Sequence, residues 1–296
     1  MLRSLPQSKP LDDLIGRTIA VIGLGTMGAA IAEGIARARK AMNEEIPRGQ
    51  FYCTKREYKF ERNSVITSES VVLYIQDDPD ANITVTQRSD LIIIAVRPEH
   101  IKHVLNSISP ALDRKKLIVS LAKDVNLSNL AAMLPSGTAI VRCATNLPIT
   151  VRHGFTGLSC NKHVLPSDVK AVYTLFELLG RCTMLSEEHL TIVSAITGFY
   201  PVYMLYMLTK IKEATEKLGL PRDISQAAVE TAWIGYAQVV LKHKTTAKGL
   251  LRLIPRGPRS AVVKCLDRTD LGSVTYKALL ASIEQDSELL DGIIDQ

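Results

Sequence analysis

Along the first half of the chain, short runs of branched apolar residues alternate with amphipathic stretches. Arg17–Ile22, Ser89–Val96, Leu117–Leu121 and Thr138–Arg142 are the clearest runs, with Gln50–Thr54 and a looser Val71–Ile75 among them. Each is too short for a helix, and its centre is continuously apolar instead of apolar at every second position. That predicts strands covered on both faces, as in a parallel sheet. His100–Leu105 and Leu127–Leu134 carry helical periodicity between them. Beyond Thr191 the pattern turns almost wholly helical. Val202, Leu205, Leu208, Ile211 and Leu218 recur at near-helical spacing after Pro201, which is placed at the start of that helix. Gly219 is the expected C-terminal cap and Pro221 the start of the next helix. Ile224–His243 then offers a long apolar face that includes Val229, Trp233, Tyr236 and Val240.

The first run leads straight into Gly23-Leu24-Gly25-Thr26-Met27-Gly28, and an alanine-rich helical stretch follows to Arg39. A GxGxxG between strand and helix fits the turn that binds a dinucleotide. The first glycine permits the tight turn, the second lets backbone approach a pyrophosphate, and the third lets helix and strand pack closely. The pyrophosphate would rest on the helix N-terminus, where free amides favour negative charge. The expected fold is therefore α/β: an N-terminal Rossmann-type doubly wound parallel sheet over 1–186, followed by an all-helical domain over 187–296 whose long apolar faces call for a partner such as a second subunit. Ligands of such a sheet bind at the strands' carboxyl ends. Arg97, Leu121 with Ala122, and Asn146 follow such ends, so all can face one crevice.

The end of the second strand chooses the cofactor. An enzyme for NAD places Asp or Glu there, on the ribose 2′-hydroxyl. Here Thr54-Lys55-Arg56 stands in that place, after an insertion over Asn43–Gly49. Two cations and a hydroxyl suit a 2′-phosphate, which Arg can hold bidentately, so NADPH is expected.

Composition narrows the partners. The net charge is +6, but no long basic run occurs and aromatic residues make up only 5%, which argues against nucleic acid. Met1–Pro10 has no apolar h-region of a secretory signal, while a short organellar presequence stays open, with Asp12 and Asp13 weighing against one. The longest apolar stretch, Ala195–Leu208, is interrupted by Thr197, Gly198 and Pro201, so no membrane span is expected. Five scattered cysteines form neither a CxxC nor a Cys/His cluster. They read as reduced thiols of a cytoplasmic protein, with no metal site.

The chain resembles the pyrroline-5-carboxylate reductase family over nearly its whole length. The family's glycine-rich start looks like Gly23–Gly28, its Ala-Val-Lys-Pro like Ala95-Val96-Arg97-Pro98, and its Met-Pro-Asn-Thr-Pro like Ala144-Thr145-Asn146-Leu147-Pro148. Ser89-Asp90 is kept, and the family's cofactor-contacting asparagine falls on Asn82. The resemblance implies reduction of a cyclic imine such as pyrroline-5-carboxylate, and helices exchanged across a homodimer or a larger ring. The departures fall in the substrate segments. Gly-Ser-Gly-Pro has become Gly198-Phe199-Tyr200-Pro201. A Ser-Pro-Gly-Gly-Thr-Thr loop has become Ile254-Pro255-Arg256-Gly257-Pro258-Arg259. In the altered pocket Tyr200 has the chemistry of a proton donor, and Arg259 or Arg256 that of a carboxylate anchor. Asn146, Gly198, Phe199 and Gly257 would complete it, while His153 reads as a turn residue. Two other readings stay open. A carbonyl reductase of β-hydroxyacid-dehydrogenase type would need a catalytic lysine near Lys210, and the altered segments would also permit a non-catalytic NADPH-binding protein.

Overall fold

In the computed structural model of the chain, residues 16–41, 51–57, 64–123, 125–243, 246–254 and 256–294 are described. The N-terminal stretch and the insertion 43–49 lie outside them. The chain divides into two compact units, the second spanning Gly198–Glu284 and the first the remainder.

The first unit runs β1 (Ile19–Ile22), α1 (Thr26–Ala41), β2 (Phe51–Lys55), α2 (Ser64–Glu69), β3 (Val71–Tyr74), α3 (Ala81–Arg88), β4 (Leu91–Ile94), α4 (Pro98–Ile108), β5 (Leu117–Ser120), α5 (Leu127–Ala132), β6 (Ala139–Ala144), β7 (Gly154–Cys160), α6 (Pro166–Glu177) and β8 (Gly180–Met184). Among the described residues these strands form one eight-stranded sheet in the order β3-β2-β1-β4-β5-β6-β7-β8. All pairs are parallel except β6–β7. The strand order reverses between β1 and β4, which is where a doubly wound sheet opens its ligand crevice.

Within the expected Rossmann-type sheet, the β6–β7 pair is antiparallel. After β6 the chain makes a short 3-10 turn over Leu147–Val151, and Arg152 adopts a left-handed conformation with φ 58°. This return is too short for a crossover helix, so β7 must run back along β6. His153 lies in that turn and is exposed.

Alternate side chains of one strand reach opposite faces of the sheet. Val21, Ile93, Val119 and Val141 pack with Ile31 and Ile35 of α1 and with Val172 and Phe176 of α6. Ile22, Ile92, Ile94, Ile118 and Ile140 pack with Val85 of α3, Ile101 and Leu105 of α4, and Leu130 of α5. Each fully buried aliphatic side chain contributes about 1.5–3 kcal/mol, so helices on both faces hold the crevice edge rigid. A buried cation ties in the end of the unit. Arg142 on β6 is 4% exposed and places Nη1 3.3 Å from Glu187 Oε1, while the Leu127 amide donates to the same carboxylate oxygen at 2.6 Å. One carboxylate thereby fixes β6, the start of α5 and the start of α7 (Glu187–Lys217).

That anchor explains a correction. Pro201 does not open a helix but lies inside α7. The helix starts roughly four turns earlier, where Glu187 and Glu188 also favour the positive end of its dipole. Proline forfeits a hydrogen bond there without ending the helix. Gly219 caps α7 as expected. With φ +94°, it donates to Glu216 O while Leu220 donates to Thr215 O, the paired bonds of a Schellman motif.

The second unit comprises most of α7, then α8 (Arg222–His243), α9 (Ala247–Leu253), α10 (Arg256–Arg268) and much of α11 (Leu271–Ile294). Many of its apolar side chains stand open, among them Val202, Tyr206, Ile234, Tyr236, Leu241 and Tyr276. Alpha-helix α7 is long and apolar enough to cross a membrane by length and composition, unlike the expectation drawn from the interrupted run. All five cysteines are free, and burial pushes the thiols of Cys53 and Cys182 up to about 12.

Gly180 begins β8 at φ +145°, and a Cβ there would lie 2.2 Å from the carbonyl oxygen of Gly154. Gly180→Ala is therefore expected to destabilise the first unit. The strained backbone alone costs about 1–3 kcal/mol, and the clash adds to it. Thermal unfolding of the variant checks this, and an unchanged Tm would contradict the packing of β7 on β8.

Candidate functional site

The site is built at the carboxyl ends of β1, β2, β4 and β5. Beyond β1 the chain turns at Gly23, with φ +96°, and the amides of Gly23 and Leu24 both donate to the Thr54 carbonyl on β2, at 3.1 and 3.0 Å. A Cβ on Gly23 would meet Val96 Cγ1 at 2.9 Å, and one on Gly28 would meet Gly23 O at 2.0 Å. Those two glycines let the loop fold back on itself and on the end of β4. Gly25 is different. A Cβ there would meet nothing within 4 Å, so its bareness serves the space outside the chain. Helix α1 starts at Thr26 with no acidic residue in its first turn. The Thr26 and Met27 amides, like those opening any α-helix, have no carbonyl within the helix to bond. Positive dipole, free amides and open space together fit a pyrophosphate.

The other expected cofactor residues surround this loop. The Ala95 amide donates to Ile22 O and the Leu121 amide to Ile94 O, each at 2.9 Å, so the ladder continues one residue past each strand. Ala95, Val96 and Leu121 are half-buried at the edge, while Ala122 is buried with its amide donating to Ser120 Oγ at 3.2 Å. Arg97 is exposed, 3.8 Å from Glu99, and Pro98 opens α4 in the first turn. On β2, Lys55 is half-buried and Arg56 exposed. Desolvation pulls the Lys55 ammonium below its usual range.

Thr54 departs from expectation. It is fully buried, and its hydroxyl donates to Asn82 Oδ1 at 2.7 Å instead of facing a phosphate. Asn82, in the first turn of α3, is 9% exposed. Of the three residues read as a 2′-phosphate site, Lys55 and Arg56 remain.

Asn146 ends the strand-like segment after β6, and its Oδ1 accepts the Phe155 amide at 2.9 Å, which secures the turn into β7. Next to it Thr145 and Thr156 share a hydroxyl hydrogen bond of 2.8 Å.

The remaining expected substrate residues belong to the second unit. Gly198, Phe199 and Tyr200 occupy consecutive positions inside α7. Tyr200 is half exposed. Phe199 packs its ring against Tyr203, with centroids 5.1 Å apart, and the Tyr203 hydroxyl lies 3.0 Å from Thr275 Oγ1 on α11. Periodicity gave no reason to single out Tyr203, yet it is the better-anchored tyrosine. The segment read as a loop is the opening of α10: Arg256, Gly257, Pro258 and Arg259 form its first turn, where proline is tolerated. Gly257 is exposed, while the side chains of Arg256 and Arg259 lie outside what is described. A groove of about 420 Å³ between α7 and α8, lined by Leu205, Leu208, Val229 and Trp233, is mainly apolar and part of the same open surface. Among the described residues no cluster of His, Cys, Asp and Glu could hold a metal ion.

Comparison with known proteins supplies an independent line. The family model for pyrroline-5-carboxylate reductase dimerisation matches residues 187–289, and the model for coenzyme F420-dependent NADP oxidoreductases matches 18–124. Pyrroline-5-carboxylate reductase of Pseudomonas aeruginosa is 28% identical over 277 residues, covering 92% of this chain and 97% of the relative. Two solved structures align along almost the whole chain. The Plasmodium falciparum pyrroline carboxylate reductase with NADP bound has 26% identity and TM-score 0.73, covering 93% of this chain and 98% of that one. The pyrroline-5-carboxylate reductase of Coxiella burnetii has 25% identity and TM-score 0.78, with the same coverage.

The contrast between the glycines can be read out directly. Gly25→Val is expected to fold with an unchanged Tm and to lose NADPH binding by at least a hundredfold, because its side chain enters space that a pyrophosphate would need. Gly28→Ala should instead lower the Tm, since its Cβ collides with Gly23 O. Isothermal titration paired with thermal unfolding checks both. Normal NADPH affinity in folded Gly25→Val would remove the loop from the site.

Proposed function

We propose that this chain, which belongs to the pyrroline-5-carboxylate reductase family, uses NADPH to reduce the C=N bond of pyrroline-5-carboxylate or a related cyclic imino acid to the cyclic amine. The observation that carries the reading is the open cradle at Gly25 above the acid-free start of α1. It fits the dinucleotide carried by the Plasmodium relative.

Bound there, NADPH would supply the hydride. The chain's own residues hold, orient and protonate. First-turn amides of α1, with Gly23–Gly28, would take the pyrophosphate, and Lys55 and Arg56 the 2′-phosphate, which is why NADPH is preferred to NADH. Asn82, Ala95–Pro98, Leu121 and Ala122 would line the rest of the cofactor. Arg259, supported by Arg256, would clamp the substrate carboxylate, with Asn146, Gly198, Phe199 and Gly257 around the ring. As the imine carbon accepts hydride, its nitrogen takes a proton, so C=N becomes CH–NH. Tyr200 is the group we assign to donate that proton. Holding the reacting atoms roughly 3–3.5 Å apart is where the protein contributes most.

The apolar faces of α7, α8 and α11 fit a homodimer or larger ring assembled through the matched dimerisation segment. Five free cysteines suit a reducing compartment such as the cytoplasm. The carbonyl-reductase alternative loses its lysine. Lys210 is exposed and engaged by Glu213 at 2.8 Å, which raises its pKa.

NADPH is expected to bind at least tenfold more tightly than NADH. Lys55→Ala with Arg56→Ala should bring the two within about threefold, since each charge-assisted contact is worth about 1.5–3 kcal/mol. Equal affinities in the wild-type protein would refute the phosphate assignment. Turnover measured with pyrroline-5-carboxylate, piperideine carboxylates and simple imines separates the imine reductase from a non-catalytic binder.

Arg259→Ala should raise KM for the imino acid more than thirtyfold with NADPH affinity unchanged, and Arg259→Lys should recover only part of it, because lysine keeps the charge and loses the fork. Steady-state kinetics within twofold of wild type for both variants would show that Arg259 does not touch substrate.

A further inference from the structure

Thr54 occupies an unusual place at the end of β2. Its backbone carbonyl receives both leading amides of the glycine loop, Gly23 N at 3.1 Å and Leu24 N at 3.0 Å. Its hydroxyl, fully buried, points the other way along the chain and donates to Asn82 Oδ1 at 2.7 Å. One residue therefore holds the loop above α1 and the first turn of α3.

The hydroxyl's bond has a chemical consequence. A carboxamide has an accepting oxygen and a donating nitrogen on opposite arms. With Oδ1 turned into Thr54, the Nδ2 group must face away from it. Among the described residues Nδ2 has no protein partner. It is also not one of the buried unsatisfied atoms, so it keeps accessible surface although the residue is nine-tenths buried. Nδ2 is therefore the arm of the amide open to an acceptor from outside the chain. Thr86 secures the same residue from behind, donating its hydroxyl to Asn82 O at 2.7 Å. The amide is thus fixed at the side chain and at the backbone, and only Nδ2 is left to bind.

We infer that Thr54 is a positioning residue for dinucleotide binding: its hydroxyl orients Asn82 so that Nδ2 donates to an acceptor oxygen on the adenosine ribose–pyrophosphate portion. This rests on the proposed use of a nicotinamide dinucleotide. The portion concerned is common to NADPH and NADH, because Thr54 holds the glycine loop as well as Asn82, whereas the 2′-phosphate is assigned to Lys55 and Arg56 at the strand tip.

Thr54→Val keeps the side chain's shape and removes the hydroxyl. Fluorescence or calorimetric titration of the full chain with NADPH and with NADH is expected to show both weakened about three- to tenfold. Their ratio should stay within twofold of wild type, unlike the Lys55 and Arg56 variants. Thr54→Ser should restore both affinities to within twofold. Asn82→Ala should weaken both cofactors alike, and adding Thr54→Val to it should cost less than a further twofold. Wild-type affinity in Thr54→Val, failure of serine to rescue, or full additivity in the double variant would each overturn the inference while leaving the functional reading standing. Should Thr54→Val not fold, Asn82→Ala decides alone, because normal binding without that amide leaves Thr54 nothing to orient. A wild-type chain that binds neither dinucleotide sinks the functional reading and this inference together.

Discussion

The cofactor edge depends on one close approach, that of the start of α1 to the end of β1. Gly28 comes so near Gly23 that a single added carbon would stand 2.0 Å from its carbonyl oxygen, and 3.1 Å from the Ala95 side chain on the neighbouring strand end. Because helix and loop close so tightly, the first-turn amides of α1 stand directly above the ends of β1 and β4. The reversal of strand order between those two strands then leaves no crossover in front of them. Beside this contact the space at Gly25 stays open, with nothing within 4 Å of an added Cβ.

Much of this was legible in the sequence because the physics involved is local. Leu91–Ile94 and Leu117–Ser120 are buried at every position, and such strands announce themselves as unbroken apolar runs. The GxGxxG spacing carries its own geometry. Strands β7 and β8 were not legible for the same reason reversed. Gly154-Phe155-Thr156-Gly157-Leu158-Ser159-Cys160 is buried along most of its length yet hardly apolar, since its glycines admit Leu190, Leu185 and Ile149 from outside the strand. Its burial is supplied by distant residues, which no window of the sequence contains. Pro201 misled for a related cause. The local rule puts proline at a helix start, but the start of α7 is set by Glu187 meeting Arg142 and the Leu127 amide, forty-five and sixty residues away in sequence.

The candidate site divides along the same line. Positions that demand a particular backbone geometry are legible by type and spacing: Gly23 and Gly28 make the close approaches that the glycine spacing implies. Residues whose role depends on where a side chain turns are not. Thr54 reads as a phosphate-facing hydroxyl at the tip of a strand, and the structure buries it against Asn82. Asn146 reads as a crevice residue, and its oxygen is engaged by the Phe155 amide. Tyr203 gave no signal, although its hydroxyl is the one tied to Thr275. Side-chain hydrogen bonds join positions that are remote in sequence, so a linear reading names the polar groups without saying which of them are already taken.

Helix α7 states the last constraint. By length and composition it could cross a bilayer, and little of its apolar window is buried in one chain. Charged residues flank that window. Its first residue is a carboxylate held by a buried arginine of the sheet, and its later half carries Lys210, Lys212, Glu213, Glu216 and Lys217. The helix that follows opens with Arg222 and Asp223 and bears Glu230 beside the groove that Leu205 and Trp233 line. These charges lie outside the apolar window and stay in water whatever covers it. An apolar stripe bordered by charges fits instead a protein partner that covers the stripe and leaves the rim in water. The matched dimerisation segment spans this same helix and the ones after it. The apolar surface that a single chain cannot bury is then the surface that draws two copies together, and the altered Phe199 and Tyr200 lie on the helix that carries it.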